Sequence, residues 1–112
     1  MKRIAYLICF AGILMQSCNE KSVSDNPLLT KFNTPFEVPP FDKIKDAHYL
    51  PAFHEGIKQQ QAEIEAIINN PEAPTFANTI EALEKSGQTL RQVSLIFSNL
   101  QQANTTDSLN AI

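Results

Sequence analysis

Apolar and small residues recur in the second half of this chain at alternating intervals of four and three positions. This spacing keeps the side chains on one face, because an α-helix completes two turns in about seven residues. The pattern predicts a helical seam that begins after Thr75, a good N-cap residue, and runs to Phe97. The seam positions are Phe76, Ile80, Leu83, Gly87, Leu90, Ser94 and Phe97.

Two seam positions carry small side chains, Gly87 and Ser94, so a second helix could approach closely there. Gly87 also leaves open a division of the segment into two helices. Keeping this glycine inside one helix costs about 1 kcal/mol relative to alanine. We favour one continuous or slightly kinked helix.

A second amphipathic pattern predicts an earlier helix that begins between Asp46 and Pro51 and ends near Asn69. Asp46 can cap its free N–H groups, and Pro51 is tolerated only in the first turn. Pro71 stops the helix, and the short connection that follows predicts antiparallel packing in an all-α fold. The expected apolar face is Leu50, Phe53, Ile57, Ile64, Ile67 and Ile68, with Lys58 to Gln61 largely outside.

The residues before this helix are expected to be irregular. Residues 19–33 have the polar composition of a linker, in which Leu28, Leu29 and Phe32 begin docking onto the helices. The prolines of residues 34–41 disfavour regular helix, so this stretch is predicted to be an arm. The residues expected to lie against a surface are Phe36, Val38 and Phe41.

At the other end, residues 104–107 predict a turn, and Ser108 to Ile112 the start of one more helix. Five residues are too few for a stable isolated helix. We therefore expect the sequence to be a truncated part of a longer protein.

The first eighteen residues differ from the rest. Lys2 and Arg3 precede an apolar stretch over residues 4–15, which is shorter than the roughly 20 residues of a membrane-spanning helix and is typical of a signal peptide. Ser17-Cys18 resembles the lipobox of bacterial lipoproteins, where the cysteine sulfur receives a diacylglycerol. The alternative is an ordinary secretory signal in which Cys18 is incidental.

The expected organisation is a lipoprotein signal peptide over residues 1–17, lipidated Cys18 and a flexible linker over residues 18–33, and a helical part over residues 34–112. The mature protein is expected to be exported and membrane-anchored, facing the periplasm. No disulfide is expected in the mature segment, because Cys9 leaves with the signal and Cys18 is acylated.

Motifs for catalysis are weak. His54-Glu55 begins like the His-Glu-x-x-His zinc motif, but the residue four positions after His54 is Lys58, which is not a neutral ligand. His48 faces another direction, about 600° around the helix. We predict no catalytic, cofactor-binding or metal residue in this segment. Nine Lys and Arg against twelve Asp and Glu, without a basic stripe, also argue against a nucleic-acid partner.

Residues 70–87 read Asn-Pro-Glu-Ala-Pro-Thr-Phe-Ala-Asn-Thr-Ile-Glu-Ala-Leu-Glu-Lys-Ser-Gly. This string closely resembles a block near the N-terminus of the thimet-oligopeptidase family of zinc metallopeptidases, in its bacterial peptidyl-dipeptidase/oligopeptidase A branch. Residues 49–53, 62–67, 97–100 and 103–105 fit the same block in register, so the resemblance covers about residues 35–112.

The resemblance implies a larger, mostly helical, two-lobed peptidase of which these are N-terminal antiparallel helices. In such enzymes Zn²⁺ is held by the histidines of His-Glu-x-x-His and a distant glutamate, and the substrates are short oligopeptides. None of those catalytic residues matches a position here, so the segment alone is predicted to be inactive. Its expected role is part of the cleft wall, over residues 46–104. The alternative is a stand-alone small helical lipoprotein that binds a partner through the Phe76–Phe97 seam.

Overall fold

A computed structural model describes residues 25–112, and within this range the fold is all-α, as predicted. Cys18 and the signal peptide lie outside the described residues. Two long helices dominate, and the short elements lie before, between and after them. The elements in chain order are a 3₁₀ turn (Pro35–Glu37), α1 (Asp46–Ile68), a π-helical turn (Phe76–Glu81), α2 (Ala82–Lys85), α3 (Gln88–Ala103) and α4 (Asp107–Asn110). The two long helices are α1 and α3.

The ends of α1 agree with the sequence prediction, although its cap differs. Asp46 is the first helical residue rather than the cap, and the Lys45 backbone N–H donates to Nδ1 of His48 at 3.1 Å. Pro51 lies six residues into the helix, so our expectation that it must occupy the first turn was wrong. Pro51 has no N–H to donate to the carbonyl of Ala47, and both residues are exposed, so solvent can satisfy that carbonyl.

The packing face of α1 is not the one that the large apolar residues predicted. Tyr49, Ala52 and Gly56 are the buried residues of this helix, at intervals of three and four. Leu50, Ile57 and Ile68 are exposed, whereas Phe53, Ile64 and Ile67 are half-buried. Small residues determine the contact, because they let the backbones of two helices come together where larger side chains would hold them apart.

The seam is broken at its centre, so our preference for one continuous helix was wrong and the alternative is correct. Ser86 is extended, with ψ 158°, and Gly87 has the left-handed φ of 69°. α2 therefore ends at Lys85, and α3 starts afresh at Gln88. At the start of the seam the predicted cap is confirmed, because Thr75 Oγ1 accepts from the Asn78 N–H at 3.1 Å.

The core lies between α1 and α3 and is closed by residues from both ends of the described chain. The expected docking at Leu28, Leu29 and Phe32 is observed, with Leu28 fully buried. Its carbonyl accepts from Nε2 of Gln92 at 3.2 Å, which holds this stretch on α3. The buried apolar residues are Leu28, Tyr49, Ala52, Val93, Ile96 and Leu109.

The arm is irregular as predicted, but Phe36 does not lie against a surface as we expected. Phe36 is 99% exposed, and Val38 and Phe41 are about half exposed. Phe36 and Glu37 also have positive φ angles, of 59° and 54°, in a region that non-glycine residues seldom occupy. The prolines do exclude regular helix here beyond a single 3₁₀ turn.

The predicted last helix begins at Asp107, where Thr106 Oγ1 accepts from the Leu109 N–H at 3.1 Å. None of the helices within residues 25–112 combines the length and apolar character needed to cross a membrane.

Candidate functional site

α1 and α3 pack antiparallel at very short range, and this contact is the structural centre of the segment. A Cβ placed on Gly56 would lie 2.9 Å from Cα of Leu90, closer than real Cβ atoms approach a backbone. Further along, Tyr49 meets Phe97 near one end of the pair, while Glu63 meets Gly87 near the other. The two backbones are therefore in contact through glycine, and the order of the contacts along the helices is antiparallel.

Side chains of α1 organise the N-terminal end of α3. Glu63 Oε2 accepts from the Gly87 N–H at 2.7 Å, and Gln59 Oε1 accepts from the Thr89 hydroxyl at 2.7 Å. A carboxylate here is favourable, because the N-terminus of a helix carries partial positive charge. Gln59 is held in turn by donating from Nε2 to Glu55 Oε1 at 2.9 Å. The side chain of Gln60 lies beside Gly87. We call Gln59, Gln60 and Glu63 the capping cluster.

An aromatic group closes the opposite end of the contact. Phe97 receives Tyr49 and Phe53 edge-on, with ring centroids 5.2 and 5.5 Å away. The Tyr49 hydroxyl is buried and has no hydrogen-bond partner among residues 25–112. Burial raises the pKa of Tyr49 above the ordinary value of 10.0, and the negative charge of Asp46 adds to the increase.

A shallow cleft of about 550 Å³ lies between the arm and α3. Its walls combine the aromatic rings of Phe32 and Phe41 with amide side chains and one guanidinium from α3. Arg91, at the rim, lies 4.0 Å from the Glu84 carboxylate and is mostly exposed. The lining residues are Phe32, Pro39, Phe41, Gln88, Arg91, Gln92, Leu95, Ile96 and Asn99.

The first half of the predicted seam forms an exposed apolar stripe. Phe76, Ile80 and Leu83 are 69%, 51% and 51% exposed, although their spacing is that of a packing face. Beyond the break, Leu90, Ser94 and Phe97 are half-buried, and Phe97 packs against the core. We define Phe76, Ile80 and Leu83 as the apolar stripe.

The histidines do not form a metal site. His54 is exposed, and His48 is occupied in capping α1 through its Nδ1. Residues 25–112 contain no group of three or more His, Cys, Asp or Glu side chains arranged to hold a metal ion. The described residues therefore do not fit the zinc that the resemblance implies.

Sequence reasoning missed the capping cluster, because we placed Gln59 and Gln60 on the outer face of α1. The periodic large apolar residues predicted the wrong buried face of α1. The small residues Ala52 and Gly56 indicate the face that is buried. A small residue at each of two positions four apart is a pattern that permits close helix contact.

No family model matches this chain. Comparison with individual known proteins does find relatives. The chain is 49% identical over 90 residues to the dipeptidyl carboxypeptidase of Salmonella typhimurium and 46% identical over 87 residues to that of Escherichia coli. It is also 31% identical over 93 residues to a probable cytosolic oligopeptidase A of Arabidopsis thaliana. These alignments cover 80%, 78% and 83% of this chain but about 13% of each relative. Most of the chain is therefore homologous to one segment of these peptidases.

Proposed function

We propose that this chain is a section of a longer peptidase that hydrolyses short peptides and releases dipeptides from their carboxyl end. The observation that carries the proposal is the 49% identity over 90 residues to a dipeptidyl carboxypeptidase. Because the chain spans about 13% of that relative, the bond-breaking groups are proposed to lie in parts of the protein other than the described residues.

The proposed role of residues 46–104 is to form part of the wall of the substrate cleft. The glycine contact and the capping cluster support this role, since together they fix α1 and α3 as one unit. A wall must keep its position when peptides enter, and the close backbone contact leaves little freedom to slide. Such a wall limits entry to short, unfolded peptides.

The activity test uses the complete gene product and N-acetylated tetrapeptides, with the products identified by mass spectrometry. A matched control is the same peptide with an amidated carboxyl end. Release of a dipeptide from the free acid and not from the amide supports the proposal. Internal cleavage of both peptides indicates an oligopeptidase instead, and no cleavage of either contradicts a peptidase.

The complete protein is further proposed to depend on Zn²⁺ held by residues outside this segment. The coding frame beyond Ile112 should then continue into a sequence with a His-Glu-x-x-His motif. Metal analysis of the purified complete protein should find about one zinc per chain. Treatment with a chelator should abolish hydrolysis, and added Zn²⁺ should restore it. Full activity of a metal-free protein would contradict the proposal.

We also propose that the protein is a periplasm-facing lipoprotein anchored through Cys18. Ser17-Cys18 after the apolar stretch is the supporting feature, and it lies outside the described residues. Mass spectrometry of the mature N-terminus should find a diacylglycerol on the cysteine sulfur. Cys18→Ser should move the protein from the membrane fraction to the soluble exported fraction. A processed protein with an unmodified cysteine would indicate an ordinary secretory signal.

A further inference from the structure

We infer that the apolar stripe is an intramolecular docking surface, covered by a part of the same polypeptide that follows residue 112 in the complete protein. The inference rests on the proposed function, since it needs a protein as long as the relatives. Phe76, Ile80 and Leu83 share one face of the π-helical turn and α2, and all three are at least half exposed.

α2 contacts α1, and residues of this segment outside the stripe are already covered. Thr79 and Ala82 are half-buried, and Ser86 is buried with its hydroxyl donating to the Leu83 carbonyl at 2.7 Å. The apolar stripe therefore lies beside a packed face rather than forming it. Three large apolar side chains at helical spacing indicate a second face that is buried against something else.

The size of the stripe favours an occupant from the same polypeptide over a second molecule. A fully covered aromatic side chain buries about 150–250 Å². Three side chains of this size or smaller, each already partly covered, remain below the roughly 800 Å² per partner of a stable complex. A segment of the same chain does not pay the translational and rotational cost of association, so a smaller contact is sufficient.

Charge around the stripe argues against a membrane as the occupant. Glu72, Glu81 and Glu84 flank it, and all three are exposed. The nearby cations Lys85 and Arg91 lie 3.5 Å from Glu81 and 4.0 Å from Glu84. An anionic lipid surface attracts exposed basic residues, which this face does not offer in excess.

The length of the relatives also favours an occupant from the same polypeptide. Alignments that cover about 80% of this chain account for about 13% of each dipeptidyl carboxypeptidase, which leaves most of those chains available to cover the stripe. A helix with an apolar face, packed across residues 76–83, is the occupant that the spacing fits.

The test compares two substitutions in the complete protein. Ile80→Glu places a charge in the stripe, and Ala77→Glu places the same charge on an exposed neighbour outside it. We expect Ile80→Glu to lower the thermal unfolding midpoint of a protein as long as the relatives by roughly 2 °C, with Ala77→Glu within about 0.5 °C of the parent. Equal midpoints for the two variants would overturn the inference.

A second measurement remains available if Ile80→Glu does not fold. Ile80→Cys and Ala77→Cys in the complete protein are labelled with a maleimide, and the rates are corrected for labelling of the parent. Docking predicts that Cys at position 80 reacts at least about tenfold more slowly than at position 77. Similar rates overturn the inference, as does protection that disappears on dilution, which would indicate a second copy, or on deletion of residues 1–24.

These readouts are independent of catalysis. A complete protein that cleaves no peptide but shows the stability difference and the protection contradicts the proposed function and supports the docking surface. A protein that releases dipeptides but tolerates Ile80→Glu supports the proposed function and contradicts the docking surface.

Discussion

At the scale of single residues, Gly87 has a left-handed backbone conformation that other residues rarely adopt. Its φ is 69°, and an added Cβ would lie 2.6 Å from Nε2 of Gln60. Gly87→Ala should therefore reduce the free energy of unfolding by about 1–3 kcal/mol, since it adds left-handed strain to a side-chain clash. Urea unfolding of the complete protein, followed by far-UV circular dichroism, measures the loss.

The two causes can be separated with Gln60→Ala. In the double variant with Gly87→Ala the clash is absent and the backbone strain stays, so part of the lost stability should return. A double variant no more stable than Gly87→Ala would assign the whole effect to the backbone. An unchanged stability in Gly87→Ala would contradict the left-handed conformation itself.

Tyr49 couples the stability of the core to alkaline pH. Burial raises the pKa of its phenol in the folded protein, whereas an exposed tyrosine titrates near 10.0. Above about pH 10 the unfolded chain loses this proton and the folded one keeps it, so stability falls as pH rises. For one proton the slope can be no steeper than about 1.4 kcal/mol per pH unit, and it ends once the raised folded pKa is reached.

Tyr49→Phe is the matched control for this slope. It removes the phenol, so the difference in free energy of unfolding between parent and variant should change between pH 9 and pH 11. At neutral pH the variant should be equal to the parent or more stable by about 1 kcal/mol, because a buried hydroxyl without a partner is unfavourable. A variant less stable than the parent at pH 7 would mean that the hydroxyl has a partner in the complete protein.

At the scale of secondary-structure elements, the packing of α1 on α3 depends on Gly56. In an exposed helix, Gly→Ala stabilises by about 1 kcal/mol. Here the new Cβ would lie 2.9 Å from Cα of Leu90, a backbone atom that moves only with its helix. We expect Gly56→Ala to destabilise the complete protein by about 1–3 kcal/mol. Gln61→Ala, at an exposed position of the same helix, should stay within about 0.5 kcal/mol.

The sign of this effect is the decisive result, because propensity and packing predict opposite changes. Stabilisation by Gly56→Ala would show that α1 and α3 lie further apart than described. Scanning calorimetry of the three proteins in the same buffer gives the comparison directly.

Helix boundaries next to Pro71 and Thr75 could be predicted from the sequence, whereas the faces that the helices bury could not. Pro71 and Thr75 act through local backbone chemistry, and the helix boundaries followed them closely. The buried face of α1 depends on how closely α3 can approach, which is a property of two segments at once. The break at Gly87 also involves a residue that is distant in the sequence, because the Gly87 N–H donates to the Glu63 carboxylate on α1.

At the scale of the whole molecule, the resemblance of residues 70–87 led to the peptidases that the comparisons also found. Residue chemistry alone did not lead there, because the described segment brings together a helix contact, a cleft and an apolar stripe rather than a reactive set of side chains. The stripe itself was predicted as part of a seam, of which only the half after Gly87 is covered within residues 25–112. A sequence pattern indicates that a face is buried without indicating by what.

The core of residues 25–112 is small, so we expect the isolated segment to have low stability. Six buried apolar residues, with the partly buried ones around them, stabilise the pair of long helices. A fully cooperative domain of this length has an unfolding enthalpy of about 60 kcal/mol near 60 °C. We expect residues 25–112, expressed alone, to unfold broadly and with a much smaller calorimetric enthalpy, because small cores rarely suffice without further packing.

The Ile80→Glu variant makes this last test specific. In the isolated segment Ile80 has nothing to dock against, so the substitution should leave the helix content and the melting curve unchanged, although it destabilises the complete protein. A sharp transition of the isolated segment, with equal calorimetric and van't Hoff enthalpies, would instead favour the stand-alone helical module. In that case the stripe would be a free surface for a partner, and Ile80→Glu should weaken partner binding without changing the stability of the segment.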